Sequence, residues 1–129
     1  MVDGNLTIQA QITLEDPDTS FVAFIVKDNI SVSSSLGIPY AAVPAIPAAV
    51  VEGMYIAGGT LYTGRSTIAS KERFVGKGMF AAKNILLQRT LGADNSAAGA
   101  DLFIYNPAFL VTMPDILKDL SYTWQEVAP

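Results

Sequence analysis

A strict alternation of apolar and polar residues near the N-terminus constrains the fold more than any other feature of this sequence. Between residues 6 and 14 every second position is apolar, and threonine or glutamine fills the positions between them. The apolar members are Leu6, Ile8, Ala10, Ile12 and Leu14. A period of two over this length is typical of a β-strand with one buried and one exposed face. The buried face needs a second layer to cover it, so the sequence predicts a β-rich fold.

Turn-forming residues separate further short apolar segments. Residues 15–20 read Glu-Asp-Pro-Asp-Thr-Ser and residues 21–26 are almost wholly apolar, which predicts a β-hairpin closed by an acidic turn. A second, shorter hairpin is predicted where residues 54–56 pair with residues 60–62 across two glycines. Further strands are predicted at 30–33, 101–105, 109–113 and 122–127, with a mostly polar loop at 63–78 and a short helix at 114–120.

Residues 79–91 fit two patterns. Met79, Ala82 and Leu86 have helical spacing, whereas Ile85, Leu87 and Leu91 fit a strand interrupted by Arg89. Helix and strand both stay open for this segment.

Together these segments predict a mainly β protein. We expect a single-domain antiparallel β-sandwich or partly open barrel, with at most one or two short helices and a proline-rich extended arm. The whole chain, 1–129, forms one β-rich domain in this prediction. No internal repeat is visible in the sequence.

The proposed arm is the uncharged segment 37–51. Its prolines at positions 39, 44 and 47 favour an extended course over a helix. Two interpretations stay open: a loop that wraps the domain's own core, or an interface arm that buries apolar side chains against another subunit. In the second case the candidate interface residues are Tyr40, Val43 and Ile46.

Composition excludes several kinds of chemistry. The chain has no histidine and no cysteine, which rules out a disulfide framework, a His- or Cys-ligated zinc site and Ser-His-Asp or Cys-His catalysis. Gly76, Lys77 and Gly78 lack the earlier glycine and the following Ser or Thr of a phosphate-binding loop. Glu15 and Asp16 lie in a predicted turn, where carboxylates usually bond nearby backbone amides. We therefore predict that the protein is not an enzyme and has no catalytic residues, cofactor or metal site.

Charge is distributed in three blocks. Residues 1–64 and 90–129 are acidic, and residues 65–89 between them are basic, within a net charge of −4. The net negative charge argues against nucleic acid as a partner, so we expect the basic block to contact an acidic protein surface. Its candidate interface residues are Arg65, Lys71, Arg73, Lys77, Lys83 and Arg89.

Targeting signals are not evident. The N-terminal residues lack the basic and apolar regions of a signal peptide. The longest uncharged apolar run, 37–51, is too short and too rich in proline to span a bilayer as a helix. We expect no membrane span and a location in a virion or a cytoplasmic assembly.

These features favour a structural function over catalysis. Charged residues make up only 16% and hydrophobic residues 50% of the chain, as suits a subunit that buries much of its surface against copies of itself and another structural protein. We predict a non-enzymatic subunit of a self-assembling particle, such as a bacteriophage head-decoration (cement) or tail protein. The first alternative is a ligand- or partner-binding β-domain, and the second is a carboxylate- or metal-dependent enzyme. Aromatic contacts for the binding alternative would come from Tyr40, Tyr55, Tyr62 and Trp124.

Overall fold

The fold is built from short, mostly parallel strands. A computed structural model describes residues 1–16, 19–40, 48–67 and 71–118. Its strands are β1 (Leu6–Ile8), β2 (Ala23–Val26), β3 (Ile30–Val32), β4 (Ile38–Pro39), β5 (Val51–Tyr62), β6 (Glu72–Leu86) and β7 (Asp101–Ile104). A 3₁₀ helix (Gly92–Ser96) and two short α-helices, α1 (Ala108–Thr112) and α2 (Asp115–Lys118), complete the described elements.

The strands stack as successive turns of a coil. β1 pairs with β3, β3 and β2 pair with β5, β5 pairs with β6, and β6 pairs with β7, all in parallel. We call each turn a coil and number the turns in chain order. They are coil 1 (2–8), coil 2 (23–32), coil 3 (51–62), coil 4 (72–86) and coil 5 (101–104). Each coil therefore lies on the preceding one in a β-solenoid-like stack.

Equivalent positions of successive coils form columns of like residues. One interior column is Leu6, Ile30, Leu61 and Ile85, matched through the strand register. In a second column the ring of Tyr55 lies between Phe24 and Phe80, with ring centroids 5.3 and 5.2 Å apart. Tyr55 is 1% exposed. Stacked aromatic and aliphatic columns of this kind make the core a continuous ladder along the coil axis.

The coil bends at a corner where backbones approach closely. A Cβ atom on Gly58 would lie 2.1 Å from the carbonyl oxygen of Lys27 in the coil below, so a side chain has no room there. The backbone N–H of Gly59 donates to the carbonyl of Asp28. Next to this corner, Asn29 donates from its backbone and side-chain nitrogens to the amide oxygen of Asn5 at 3.1 and 3.0 Å. The asparagines therefore hold coil 1 to coil 2.

The predicted antiparallel sandwich or barrel is wrong, although the mainly β prediction is confirmed. Among the described strands only the two-residue β4 pairs antiparallel, with the start of β6. The hairpin from residues 6–14 to 21–26 does not form, since β1 pairs with β3 instead of β2. Alternation within one strand looks the same whether its partner runs parallel or antiparallel, so the pattern alone could not decide.

The second predicted hairpin is also wrong. Residues 54–56 and 60–62 lie in the same strand, β5, and the register against β6 shifts at the two glycines between them. The ambiguous segment 79–91 is a strand as far as Leu86. The loop predicted at 63–78 gives way to β6 from Glu72 onward.

The described C-terminal part contains two short α-helices, one where a helix was predicted and one where a strand was predicted. Residues 109–113, predicted as a strand, form most of α1, whereas α2 falls within the predicted helix 114–120. Phe109 of α1 is fully buried and contacts the ring of Phe21 edge-on at 5.9 Å. The strand predicted at 122–127 lies outside the described residues.

The proline-rich segment is described only at its two ends. β4 pairs with β6 at the start of 37–51, and Ala49 and Val50 are buried at its end. Val43 and Ile46 lie within 41–47, outside the described residues. The choice between core loop and interface arm therefore stays a prediction.

Candidate functional site

The C-terminal end of the stack exposes an uncovered strand. β7 covers β6 only at residues 74–77, and within the described residues no strand pairs with the free side of 79–86. Ile85 belongs to an interior column yet is 41% exposed, whereas Leu61, directly below it, is 2% exposed. Leu86 and Leu87 are also exposed. An unpaired strand edge carrying apolar side chains is a surface prone to pair with another strand.

A shallow depression adjoins this strand. Its volume is about 410 Å³, and its lining residues are Gly78, Met79, Phe80, Ile85, Phe103 and Tyr105. Phe103 packs edge-on against Phe80 with centroids 5.0 Å apart. The aromatic column of the core therefore ends in an apolar surface that nothing described covers.

The N-terminal end of the stack is open as well. β1 pairs on one side with β3, and no described strand pairs with its other side. Beneath β2, Val2 forms an isolated bridge with Val26, and no strand of the described part of the chain pairs with this side of β2. A second depression, of about 450 Å³, lies here between Val2, Ile25 and Val26 and their neighbours. The molecule thus has two opposite strand edges, each bordered by an apolar depression.

Arg89, a predicted interface residue, is buried inside the chain. It is 7% exposed, and its guanidinium donates to the carbonyl oxygens of Ser33, Ser34, Leu36 and Thr63. Burial lowers the pKa of its guanidinium, against the opposing effect of the Asp101 and Glu72 carboxylates. Its donors bind the carbonyls at the ends of coils 2 and 3, so Arg89 has little surface left for a partner.

Asp101 faces Arg89 from the start of β7. Its Oδ2 accepts the backbone N–H of Arg89 at 3.2 Å, and its buried Oδ1 has no hydrogen-bond partner among the described residues. Burial raises the pKa of the Asp101 carboxyl, while hydrogen bonds from Thr63 and Arg89 and the charge of Arg89 partly offset this rise. The pair anchors coil 5 to the end of coil 4.

The remaining predicted basic residues occupy different environments. Lys71 pairs with Asp94 at 2.8 Å, and this hydrogen bond raises the pKa of its ammonium. Lys77 lies 3.7 Å from a carboxylate oxygen of Glu52. Arg73, 9% exposed, donates from Nε to the carbonyl of Gly99 at 2.8 Å. Arg65 and Lys83 are exposed.

The structure brings two of the predicted interface residues together. The backbone N–H of Tyr40 donates to the carbonyl of Lys71 at 3.0 Å, where β4 meets β6. Tyr40 is half-buried there. Of the predicted aromatic contacts, Tyr55 lies in the core and Trp124 lies outside the described residues. The interface role of the predicted set stays a prediction.

The exposed end residues of β6 are absent from the predicted interface set. A signal was present: the coils share a short motif at one position, which appears as Asn5-Leu6-Thr7-Ile8, Asn29-Ile30-Ser31-Val32, Thr60-Leu61-Tyr62-Thr63 and Asn84-Ile85-Leu86-Leu87. Irregular spacing between the copies conceals them until the register aligns them.

Neither a metal site nor a membrane helix is found in the described ranges. Across residues 1–16, 19–40, 48–67 and 71–118, no three or more carboxylates group so as to hold a metal ion. No helix in this part of the chain is long and apolar enough to cross a bilayer.

Comparisons with protein-family models, curated proteins and solved structures found no match to this chain.

Proposed function

We propose that this protein is a non-enzymatic structural subunit that associates with copies of itself. The observation that carries the proposal is the exposed apolar run at the end of β6: its last two residues, Ile85 and Leu86, are 41 and 45% exposed, and Leu87, which follows the strand, is 61% exposed. Three consecutive exposed aliphatic residues, at the end of a strand whose outer side has no partner among the described strands, are costly to leave in water. Pairing this edge with another strand removes both the apolar exposure and the unsatisfied backbone groups.

The arrangement of the polar residues supports a structural role. Buried Arg89 binds backbone carbonyls of two coils, and the neighbouring Asp101 fixes the last strand. Both charged groups thus hold elements of the fold in place. The kind of assembly is proposed from composition alone: a particle such as a virion, in which this chain is a head-decoration or tail protein.

The alternative of a ligand-binding β-domain has one observation in its favour. The depression beside Phe80 and Phe103 is apolar and large enough for a small ligand. It is open and continuous with the exposed strand, however, so an extended polypeptide fits the surface better than an enclosed small molecule does.

Sedimentation of the full-length chain over a range of concentrations tests the proposal. We expect the wild-type mass to rise with concentration, and the Leu87→Asp variant to shift this rise to higher concentration because it places a charge on the apolar edge. Ile116→Asp, at an 85% exposed position on α2, is the matched control and should behave as wild type. A wild-type chain that keeps the monomer mass throughout would contradict the proposal.

A further inference from the structure

We infer that copies of this chain associate head to tail, with coil 1 of one copy stacking on the exposed end of coil 4 of the next. This inference rests on the proposed self-association and specifies its geometry. The contact is heterologous, since it joins the N-terminal end of one copy to the C-terminal end of another. Repetition of such a contact generates a linear fibre or a ring.

The first argument is that the two ends are complementary halves of one coil. At the C-terminal end, β7 stacks over residues 74–77 only and leaves the later part of coil 4 uncovered. At the N-terminal end, Val2 aligns with Val26 and β1 aligns with β3. Coil 1 therefore contains only the positions that correspond to the later part of coil 4. Through β5, those positions match Ala82, Ile85 and Leu86 of coil 4. One copy's coil 1 therefore fits the space beside the other copy's β7.

The second argument is that the columns continue across this contact. Within the chain, Leu6, Ile30, Leu61 and Ile85 form an interior column that is open at Ile85. Stacking places Leu6 of the next copy over Ile85 and covers its exposed side. The same step places the next copy's Asn5 beside Asn84, as Asn5 already lies beside Asn29 within the chain. Aligned asparagines and apolar columns are the contacts that stabilise stacked parallel strands.

The third argument is charge. Asp3 of coil 1 forms an ion pair with Lys27 at the equivalent corner of coil 2, with a distance of 2.8 Å. Lys83 occupies this corner in coil 4, and it has no ion pair among the described residues. Stacking brings Asp3 of one copy to Lys83 of the next. The two ends therefore carry opposite charges at matching positions.

Two lysine substitutions in one column test the polarity of the contact. Ile85→Lys blocks the C-terminal end and Leu6→Lys blocks the N-terminal end, and at an open end each lysine can still extend its ammonium into water. Each variant alone should associate at least about 100-fold more weakly than wild type, because stacking buries an unpaired charge. An equimolar mixture of the two variants should form a dimer and nothing larger. The intact N-terminal end of Ile85→Lys can stack on the intact C-terminal end of Leu6→Lys, and both outer ends of this dimer are blocked.

Other pairings give different results in the same experiment. If the C-terminal ends pair face to face, Leu6→Lys assembles as wild type does, which would overturn the head-to-tail geometry and leave the proposed self-association standing. A wild-type chain without any association would instead remove both.

Engineered thiols provide a second measurement that leaves the core intact. The chain has no cysteine, and Thr7 and Leu86 are exposed positions of the same column. A short thiol crosslinker should give a ladder of oligomers with the double variant Thr7→Cys/Leu86→Cys and no oligomers with either single variant. Crosslinked dimers of Leu86→Cys alone would refute the inference. So would a thiol at position 86 that a small reagent does not reach in dilute chain, since another part of the same chain would then cover this end.

Discussion

Two charged residues show how closely the coils depend on individual side chains. Arg89 is almost fully buried, and its donors bind four carbonyl oxygens that the coil ends leave without strand partners. Asp101 offers the compensating charge, yet one of its oxygens is buried without a hydrogen bond among the described residues. A buried acceptor without a donor costs free energy, and the cost is larger when the group is charged. The carboxylate is therefore held in the fold at some cost when it is ionised.

This cost predicts a pH dependence of stability. Burial raises the folded-state pKa of Asp101 above its ordinary value of 3.8, so the folded state holds this proton more tightly than the unfolded state does. The protonated Asp101 carboxyl therefore contributes stability to the fold. This contribution is fully present below the ordinary pKa and is lost as pH rises through the folded-state pKa. Asp101→Asn removes this titration. We expect the wild-type free energy of unfolding to fall relative to that of the variant as pH rises from about 3.5 to 7, measured by chemical denaturation. A wild-type free energy of unfolding that instead rises relative to that of the variant as pH rises would mean that Arg89 stabilises the anion more than burial opposes it.

At the scale of the element, α1 docks on the stack through the buried side chain of Phe109. The ring of Phe109 lies so close to Gly78 that a Cβ atom on this glycine would be 2.6 Å from the Phe109 ring. Gly78 has φ +139°, a conformation that favours glycine. The backbone conformation at Gly78 and the docking of α1 are therefore specified together.

Alanine substitutions on the docked face and on the exposed face of α1 should have different effects on the free energy of unfolding. Phe109→Ala should lower the free energy of unfolding by about 3–5 kcal/mol, because the cavity lies among buried neighbours that do not collapse into it. Val111→Ala, on the exposed face of the same helix, should change it by no more than about 0.5 kcal/mol. Urea titrations of both variants give the comparison. Equal losses would mean that α1 does not dock through Phe109.

The short strands β1 and β3 were predictable because alternation is a local signal, and the parallel pairing was not. β1 receives its partner from a segment more than twenty residues later, and nothing in its own pattern distinguishes that partner from β2. For residues 109–113, a run of apolar and β-branched residues favoured a strand, and the burial of Phe109 against Phe21 outweighed this local preference. The open end of β6 escaped prediction because exposure of Ile85 depends on where the stack stops.

At the scale of the whole molecule, the stack has a carboxylate at a corner of coil 1 and an ammonium group at the matching corner of coil 4. Asp3 and Lys83 lie at corresponding corners of the first and fourth coils, and the chain as a whole carries a net charge of −4. Net repulsion between copies is therefore opposed locally by this pair. The orientation of two approaching copies should depend on it.

Charge reversal at Lys83 tests this dependence. Lys83→Glu places a carboxylate opposite Asp3 of the next copy. We expect the dissociation constant of this variant to be about threefold to tenfold higher than that of wild type at low salt. The effect should shrink as salt is added, because exposed charges are screened. Lys118→Glu alters the net charge equally at an exposed position on α2 and is the control. Equal weakening by both variants would contradict a specific pairing of Asp3 with Lys83.

The corner at Gly58 and Gly59 also determines where insertions and deletions can be accepted in the evolution of such a chain. Inside a strand, the gain or loss of one residue turns every later side chain to the opposite face, so such changes are excluded from the columns. At the corner, the two glycines of coil 3 stand opposite the single Lys83 of coil 4, and the pairing resumes in register on the far side. The corner thus absorbs a difference of one residue without disturbing the core. Insertions and deletions between related chains should collect at this corner and between coils, while the columns keep their length.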